Sequence, residues 1–140
     1  MHPYSYAISL RIWHPSKDPA LITQALGLKP GREWQAGKPR STPKGTPLQG
    51  CWPETYWCAS LLPDREHSSD GTLLEEYLSH IVSRLQPSRE FFASLRVEGA
   101  RAELFLGLYG DRNFGFELTP GLLSDIGGLG LALSFDVYPE

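Results

Sequence analysis

Cysteine is scarce in this sequence of 140 residues, which contains only Cys51 and Cys58. Two cysteines do not make a disulfide framework, and the six residues between them fit neither a zinc knuckle nor a helical ligand pair. We therefore expect two free thiols, no metal and no cofactor. Free thiols are also typical of a reducing compartment, which favours a cytoplasmic location.

Long apolar runs are absent too, because no segment approaches the roughly 18 to 20 apolar residues of a membrane span. The start, MHPYSYAISLRIW, has the pattern of a strand and not of a signal peptide. The formal net charge of -3 is too small to favour a polyanionic partner for the chain as a whole. These features predict a cytoplasmic protein without a membrane partner, for which nucleic acid is a disfavoured ligand.

Catalytic signatures are also missing. The sequence has no G-x-S-x-G elbow and no Cys-His signature, and GGLG at 127–130 follows a predicted helix, whereas phosphate-binding loops precede one. The histidines are predicted at a terminus, in loops or on an exposed helical face: His2, His14, His67 and His80. We accordingly assign no catalytic residue.

What is present is a clear alternation of strand and helix patterns. Residues 4–13 and 55–62 have the pattern of strands, and 72–86 is an amphipathic helix. Asp18 and Thr119 each precede a proline and are suited to cap the short helices at 20–26 and 121–126. Ser88 could cap another helix that ends near Gly99.

Residues 100–109 and 113–118 both alternate, and the GDR between them predicts a hairpin that turns at Gly110 and Asp111. A last strand is predicted at 131–138. The order favours an α+β fold over a doubly wound parallel one: a mainly antiparallel sheet with helices on one face, which could consist of two ferredoxin-like halves. We expect residues 1–140 to form a single domain.

The alternation assigns side chains to the two faces of the sheet. The apolar set should face the helices: Ile8, Leu10, Ile12, Leu104, Leu106, Leu108, Phe114, Phe116, Leu131, Leu133, Phe135 and Val137. The opposite set should lie on the other face: Ser9, Arg11, Trp13, Glu103, Phe105, Tyr109, Glu117, Ser134, Asp136 and Tyr138. Because the second set is rich in aromatic residues, we expect something to cover it.

The segment 29–53 is rich in proline and glycine and predicts a long loop, with a short strand near 32–36. From Lys29 to Lys44 its charge is 5 - 1 = +4, which leaves -7 for the rest of the chain. Such a loop can be a structural lid, a surface for an anionic ligand or acidic protein, or, through Trp34 and Trp52, a platform for single-stranded nucleic acid.

Several fragments together resemble a known family. These are LITQALGLKP followed by GREWQAGKPR, then WPETYW, SRLQP and the final LGLALSFDVYP. They resemble the bacterial family called domain of unknown function 4279 over residues 4–139, most specifically at 23–30, Gly37 and 136–138. The resemblance implies a stand-alone α+β domain without an assigned activity, so it supplies no catalytic residue. STPKGTPLQG has no counterpart in it.

The favoured function is a non-enzymatic binding or interaction module that uses the 29–53 loop and the sheet face beneath it. Its partner is an unknown protein or a small anionic ligand, and a homodimer is a further option. The candidate binding residues are Arg11, Trp13, Arg32, Trp34, Lys38, Arg40, Trp52, Tyr109, Glu117, Asp136 and Tyr138. The alternative is a small enzyme with a cleft built on Arg11, Glu117 and Asp136.

Overall fold

A computed structural model describes residues 2–139 of the chain. The strands are β1 (Ser5–His14), β2 (Arg32–Trp34), β3 (Pro39–Ser41), β4 (Pro47–Cys51), β5 (Thr55–Ser60), β6 (His67–Ser68), β7 (Arg101–Gly110) and β8 (Leu131–Pro139). The helices are α1 (Pro19–Leu26), α2 (Leu74–Leu85), α3 (Arg89–Val97) and α4 (Pro120–Gly128), with a 3₁₀ turn at Gln86–Ser88. No helix within 2–139 is long and apolar enough to cross a membrane.

The main sheet has the strand order β2-β5-β1-β7-β8, with the short β6 also paired to β1. Its pairs are antiparallel except for β7 and β8, which run parallel. This arrangement confirms the predicted α+β fold with a mainly antiparallel sheet. The ferredoxin-like halves stay a prediction, since one continuous sheet joins the two parts of the chain.

The predicted hairpin at Gly110 is wrong. Residues 113–118 form no strand, and the chain instead passes through α4 and returns as β8, parallel to β7. The alternation in this segment has another cause: Phe114 stacks on Tyr4 at 4.7 Å between ring centroids, and Phe116 stacks on Phe135 at 6.2 Å. Phe114 and Phe116, two residues apart, both pack on other rings, so the segment alternates like a strand without being one.

Local signals explain where the short helices begin and end. The carboxylate of Asp18 accepts the backbone N–H of Ala20 at 3.0 Å, and Gly27 ends α1 in the left-handed conformation at φ 65°. The hydroxyl of Thr119 accepts the N–H of Leu122 at 3.2 Å at the start of α4. Ser88 precedes α3 but makes no side-chain capping bond.

The core lies between the helices and one face of the sheet. In β1 the even-numbered residues are buried, whereas the odd-numbered ones are half-buried and point to the other face. The buried set includes Tyr6, Ile8, Leu10, Ile12, Trp57, Leu74, Leu78, Phe92, Leu104 and Leu106. Phe135 and Val137 share this side but are 41% and 63% exposed, because β8 is an edge strand.

The 29–53 segment is not the long loop that its composition predicts. It contains β2, as expected near 32–36, and then the separate two-stranded hairpin of β3 and β4. β2 pairs with β5 and forms one edge of the main sheet. The segment therefore extends the main sheet through β2, and the β3–β4 hairpin that follows forms a small sheet of its own.

Candidate functional site

A row of aromatic rings crosses the bare face of the sheet at the β2 edge. Trp34 lies opposite Tyr56, and Tyr56 lies opposite Trp13 in the strand register. The ring centroids are 3.9 Å apart for Trp52 and Trp34, 4.7 Å for Trp34 and Tyr56, and 5.4 Å for Tyr56 and Trp13. These rings are half-buried, so each keeps part of its surface in contact with solvent.

Guanidinium groups stack on this row. Arg32 lies 4.9 Å from the Trp34 ring and Arg40 lies 5.6 Å from the Trp52 ring. Arg101 and Arg11 both approach Trp13, at 4.2 Å and 5.0 Å. We call this set the Trp–Arg surface: Arg11, Trp13, Arg32, Trp34, Arg40, Trp52, Tyr56 and Arg101.

The arginines of the surface differ in their partners. Arg11 forms an ion pair with Glu103 at 2.6 Å, and Arg101 reaches Glu54 at 3.5 Å. Within residues 2–139, neither Arg32 nor Arg40 forms an ion pair. The Nη1 of Arg40 donates to the backbone oxygen of Gln49 at 3.2 Å, which orients its guanidinium but leaves its charge unbalanced.

Backbone hydrogen bonds hold Trp52 beside Trp34. The N–H of Trp52 donates to the oxygen of Lys38 at 2.9 Å, and the N–H of Gly37 donates to the oxygen of Trp52 at 2.9 Å. Gly37 has φ 81°, a left-handed conformation that suits glycine in this turn. The indole N–H of Trp34 donates to the oxygen of Glu54 at 3.1 Å. The exposed Lys38 thus lies in the turn that positions the stack.

Two grooves flank the stacked tryptophans. One groove has a volume of about 440 Å³ and is lined by Trp13, Trp34, Arg40 and Trp52, together with Cys51, Pro53 and Glu54. The other, of about 330 Å³, includes Arg32 with the same tryptophan pair and residues of the β3–β4 hairpin. Trp34 and Trp52 therefore form a ridge between two open depressions.

Tyr56 and Cys58 are neighbours on this face that the sequence-based set of candidates does not include. Burial, and then its hydrogen bond with the Cys58 thiol, raise the pKa of the Tyr56 phenol. The phenol is consequently neutral at physiological pH. The signal that could have found it is the alternation of TYWC, in which Trp57 points into the core.

Tyr109, Tyr138 and Asp136 occupy the other end of the face. Tyr109 and Tyr138 stack at 4.9 Å, and the Tyr138 hydroxyl donates to Asp136 at 3.0 Å. Trp13 pairs with Arg101, eight residues from Tyr109 along β7, which is about 26 Å. The candidate residues therefore do not meet in one site: Trp34 and Trp52 lie beside Trp13, at the opposite end of the face from Tyr109 and Tyr138.

Glu117 lies on the helical side of the sheet, opposite to the face that the alternation predicts for it. Its backbone N–H donates to the carboxylate of Glu75 in α2 at 3.0 Å, and it lines a depression with Glu76 and His80. This is a correction that follows from the missing hairpin, because 113–118 packs against the helical layer instead of alternating within the sheet.

The cleft of the enzyme alternative does not assemble. Arg11 is opposite Glu103, whereas Asp136 is opposite Gly107, about 13 Å further along the strand direction. Glu117 is on the other side, as described above. Among residues 2–139 there is also no cluster of three His, Cys, Asp or Glu residues that could hold a metal ion.

His14 is not a loop histidine, since it ends β1 and is 5% exposed. Its Nδ1 accepts the backbone N–H groups of Ser16 and Lys17, at 3.0 Å and 2.9 Å. Its Nε2 donates to Glu98 at 2.8 Å. Both ring nitrogens therefore have hydrogen-bond partners within the protein, which gives His14 a structural role.

A family model described as a domain of unknown function (DUF4279) matches residues 2–140 of the chain. This match confirms the resemblance that the LITQALGLKP, GREWQAGKPR and LGLALSFDVYP fragments indicate. No curated protein and no solved structure matches the chain.

Proposed function

The chain belongs to the DUF4279 family, whose description names no activity, and we propose that it is a non-enzymatic binding module that holds an acidic segment of a protein partner on the Trp–Arg surface. The observation that carries the proposal is the row of half-buried rings on which unpaired guanidinium groups stack, on a sheet face that no helix covers.

The charges of the surface favour an anion. Its carboxylates, Glu103 and Glu54, are each next to an arginine, which leaves Arg32 and Arg40 in excess. Segment 29–44 carries +4 while the remainder carries -7. Arginine binds carboxylates through two parallel hydrogen bonds, and a guanidinium already held on an aromatic ring loses less freedom when it does so.

The shape of the surface favours a peptide segment over a small molecule. Sites for small ligands usually enclose most of the ligand surface. Here two open grooves of about 330 and 440 Å³ lie on either side of the Trp34–Trp52 ridge. An extended acidic segment can cross the ridge and contact both grooves. Single-stranded nucleic acid would also stack on the rings, but the net charge of -3 on the whole chain disfavours a polyanionic partner.

The test compares three forms of the tagged chain recovered from cells: the wild type, the Arg32→Ala/Arg40→Ala double variant and a matched Arg65→Ala/Arg89→Ala control, which removes two exposed arginines elsewhere. Native mass spectrometry reports whatever each form retains. We expect an acidic protein with the wild type and the control, and at least a tenfold loss with the Arg32/Arg40 variant.

Circular dichroism should show the same fold for all three forms. If the wild type retains a small anion or a nucleic acid instead of a protein, the proposed acidic protein partner is wrong. If the three forms retain the same species, or retain nothing, the proposal is overturned.

A further inference from the structure

β8 is an edge strand that is paired on one side only. Within residues 2–139 its pairing partner is β7, and no strand lies along its outer side. An open edge presents unpaired N–H and C=O groups to any strand that can reach them, and natural edges are usually protected by lysine, proline or a bulge. β8 carries a single charge among its described residues, at Asp136, and one proline, at its end.

Exposed apolar side chains concentrate on the second half of this strand. Phe135, Val137 and Tyr138 are 41%, 63% and 43% exposed. Leu133, Phe135 and Val137 all point to the helical side. They pair with Leu104, Leu106 and Leu108 of β7, respectively. The outer end of the sheet therefore presents both unpaired backbone and an apolar ridge.

We propose that β8 pairs antiparallel with β8 of a second copy of the chain, about a two-fold axis that passes through Phe135. Phe135 is the midpoint of the nine-residue strand Leu131–Pro139, so this register pairs the strand along its whole length. Leu133 then lies opposite the second copy's Val137, and Ser134 lies opposite its Asp136. Apolar side chains meet apolar ones, and the Asp136 carboxylate lies opposite Ser134, whose hydroxyl donates to Glu103 of its own copy at 2.6 Å.

Other registers are less favourable. If the register of the two β8 strands shifts by one residue, the helical side of one copy continues into the bare side of the other, because side chains alternate along a strand. An axis through Asp136 puts the two Asp136 carboxylates directly opposite each other, where like charges destabilise a sheet. An axis through Ser134 leaves Tyr138 unpaired. The sequence of β8 is thus complementary to itself in one register.

The pairing has a geometric consequence that does not depend on the proposed function. Residues opposite each other in antiparallel strands lie on the same side of the sheet, so the bare faces of both copies would form one continuous face. Each copy would carry a Trp–Arg surface at its β2 edge, far from the axis. If those surfaces bind, the dimer would be bivalent.

The first test measures mass by analytical ultracentrifugation over a range of protein concentrations. We expect the wild type to approach twice the 15.6 kDa of one chain, and Val137→Lys to stay at a single mass because it puts a charge against Leu133 of the second copy. Val97→Lys is the matched control: Val97 is 89% exposed in α3, away from the edge, and should leave the dimer intact.

The second test measures the register by cross-linking in a Cys51→Ser/Cys58→Ser background. Phe135→Cys brings two cysteines directly opposite each other, about 4.5 to 5.5 Å apart between Cα atoms, which is within the range of a disulfide. Val137→Cys leaves its two copies about 13 Å apart along the strand direction. We expect rapid covalent dimers for the first variant and none for the second.

A wild-type chain that stays monomeric at every concentration overturns the proposal. So does a dimer that Val137→Lys does not weaken, or equal cross-linking at both positions. Circular dichroism on each variant verifies the fold, and the lysine variants remain informative if Phe135→Cys fails to fold.

Discussion

At the scale of single residues, His14 links the end of β1 to Glu98 just after α3 and, through its backbone contacts, to the turn that follows β1. Lys17 adds an ion pair with Glu98 at 3.1 Å. Because Nδ1 accepts two backbone N–H groups, the hydrogen of the neutral ring is on Nε2 and points at the carboxylate. The contacts among His14, Lys17 and Glu98 thus connect the end of β1 to the end of α3.

This arrangement predicts a pH dependence of stability. The hydrogen bonds from His14 and then Lys17 hold the pKa of Glu98 below its ordinary value of 4.5. A carboxylate with a lowered pKa stabilises the fold above its unfolded pKa, and that contribution is lost as the pH falls through the folded pKa. We expect Glu98→Gln to lower the free energy of unfolding at neutral pH and to match the wild type well below pH 4.5.

Urea denaturation at several pH values measures this difference. Glu66→Gln, which changes an exposed loop carboxylate, is the matched control and should follow the wild type at every pH. A constant gap between Glu98→Gln and the wild type down to acidic pH would show that the carboxylate charge plays no part.

Residue-level prediction of the site succeeds where alternation decides the side-chain direction. Arg11, Trp13 and Glu103 lie on the bare face as predicted, because side chains alternate along a strand. Glu117 fails because its segment is not a strand. The distance from Trp13 to Tyr109 also could not be predicted, since it depends on the register of β1 and β7.

At the scale of elements, α1 shows how much local chemistry a short sequence encodes. Its cap residue, first-turn proline and terminal glycine can all be predicted, because these signals act within a few residues and need no tertiary contact. The β3–β4 hairpin cannot be predicted in the same way. Prolines at both strands and a register shift between Pro39 and Ser41 remove the regular alternation from which strands are recognised.

Gly27 gives a prediction for this element. It ends α1 at φ 65°, and no neighbouring atom lies within 4 Å of the place that a Cβ would occupy, so alanine there meets backbone strain and no clash. We expect Gly27→Ala to destabilise the chain by about 1 kcal/mol, the usual cost of a left-handed non-glycine residue. Gly31→Ala is the control, because Gly31 has equal space and no positive φ.

Thermal or urea unfolding followed by circular dichroism measures both variants. Gly31→Ala should be neutral or slightly stabilising, since alanine restricts the unfolded chain. Equal destabilisation by the two substitutions would mean that the left-handed conformation of Gly27 does not explain the lower free energy of unfolding.

At the scale of the whole molecule, the sheet is covered on one side only, and its two edges have different character. The β2 edge carries the Trp–Arg surface and the excess of positive charge. The β8 edge carries unpaired backbone and an apolar ridge. Because three strands separate β2 from β8, a partner at one edge does not obstruct a second copy at the other.

This layout predicts a gradient of local stability across the sheet. β1 is central, pairs with β5 and β7 on its two sides, and has fully buried side chains at Tyr6, Ile8, Leu10 and Ile12. The β3–β4 hairpin is a separate two-stranded sheet whose residues are exposed or half-buried. Protection of an amide depends on how much structure must open to expose it.

We expect hydrogen exchange to be slowest in β1, where it requires global unfolding, and on the order of 100-fold or more faster in the hairpin, which can open alone. Mass spectrometry of peptic fragments measures both regions in one sample. Equal protection of the two would show that the hairpin belongs to the cooperative core. Since Trp52 directly follows this hairpin, a partner bound to the Trp–Arg surface should slow exchange in the hairpin.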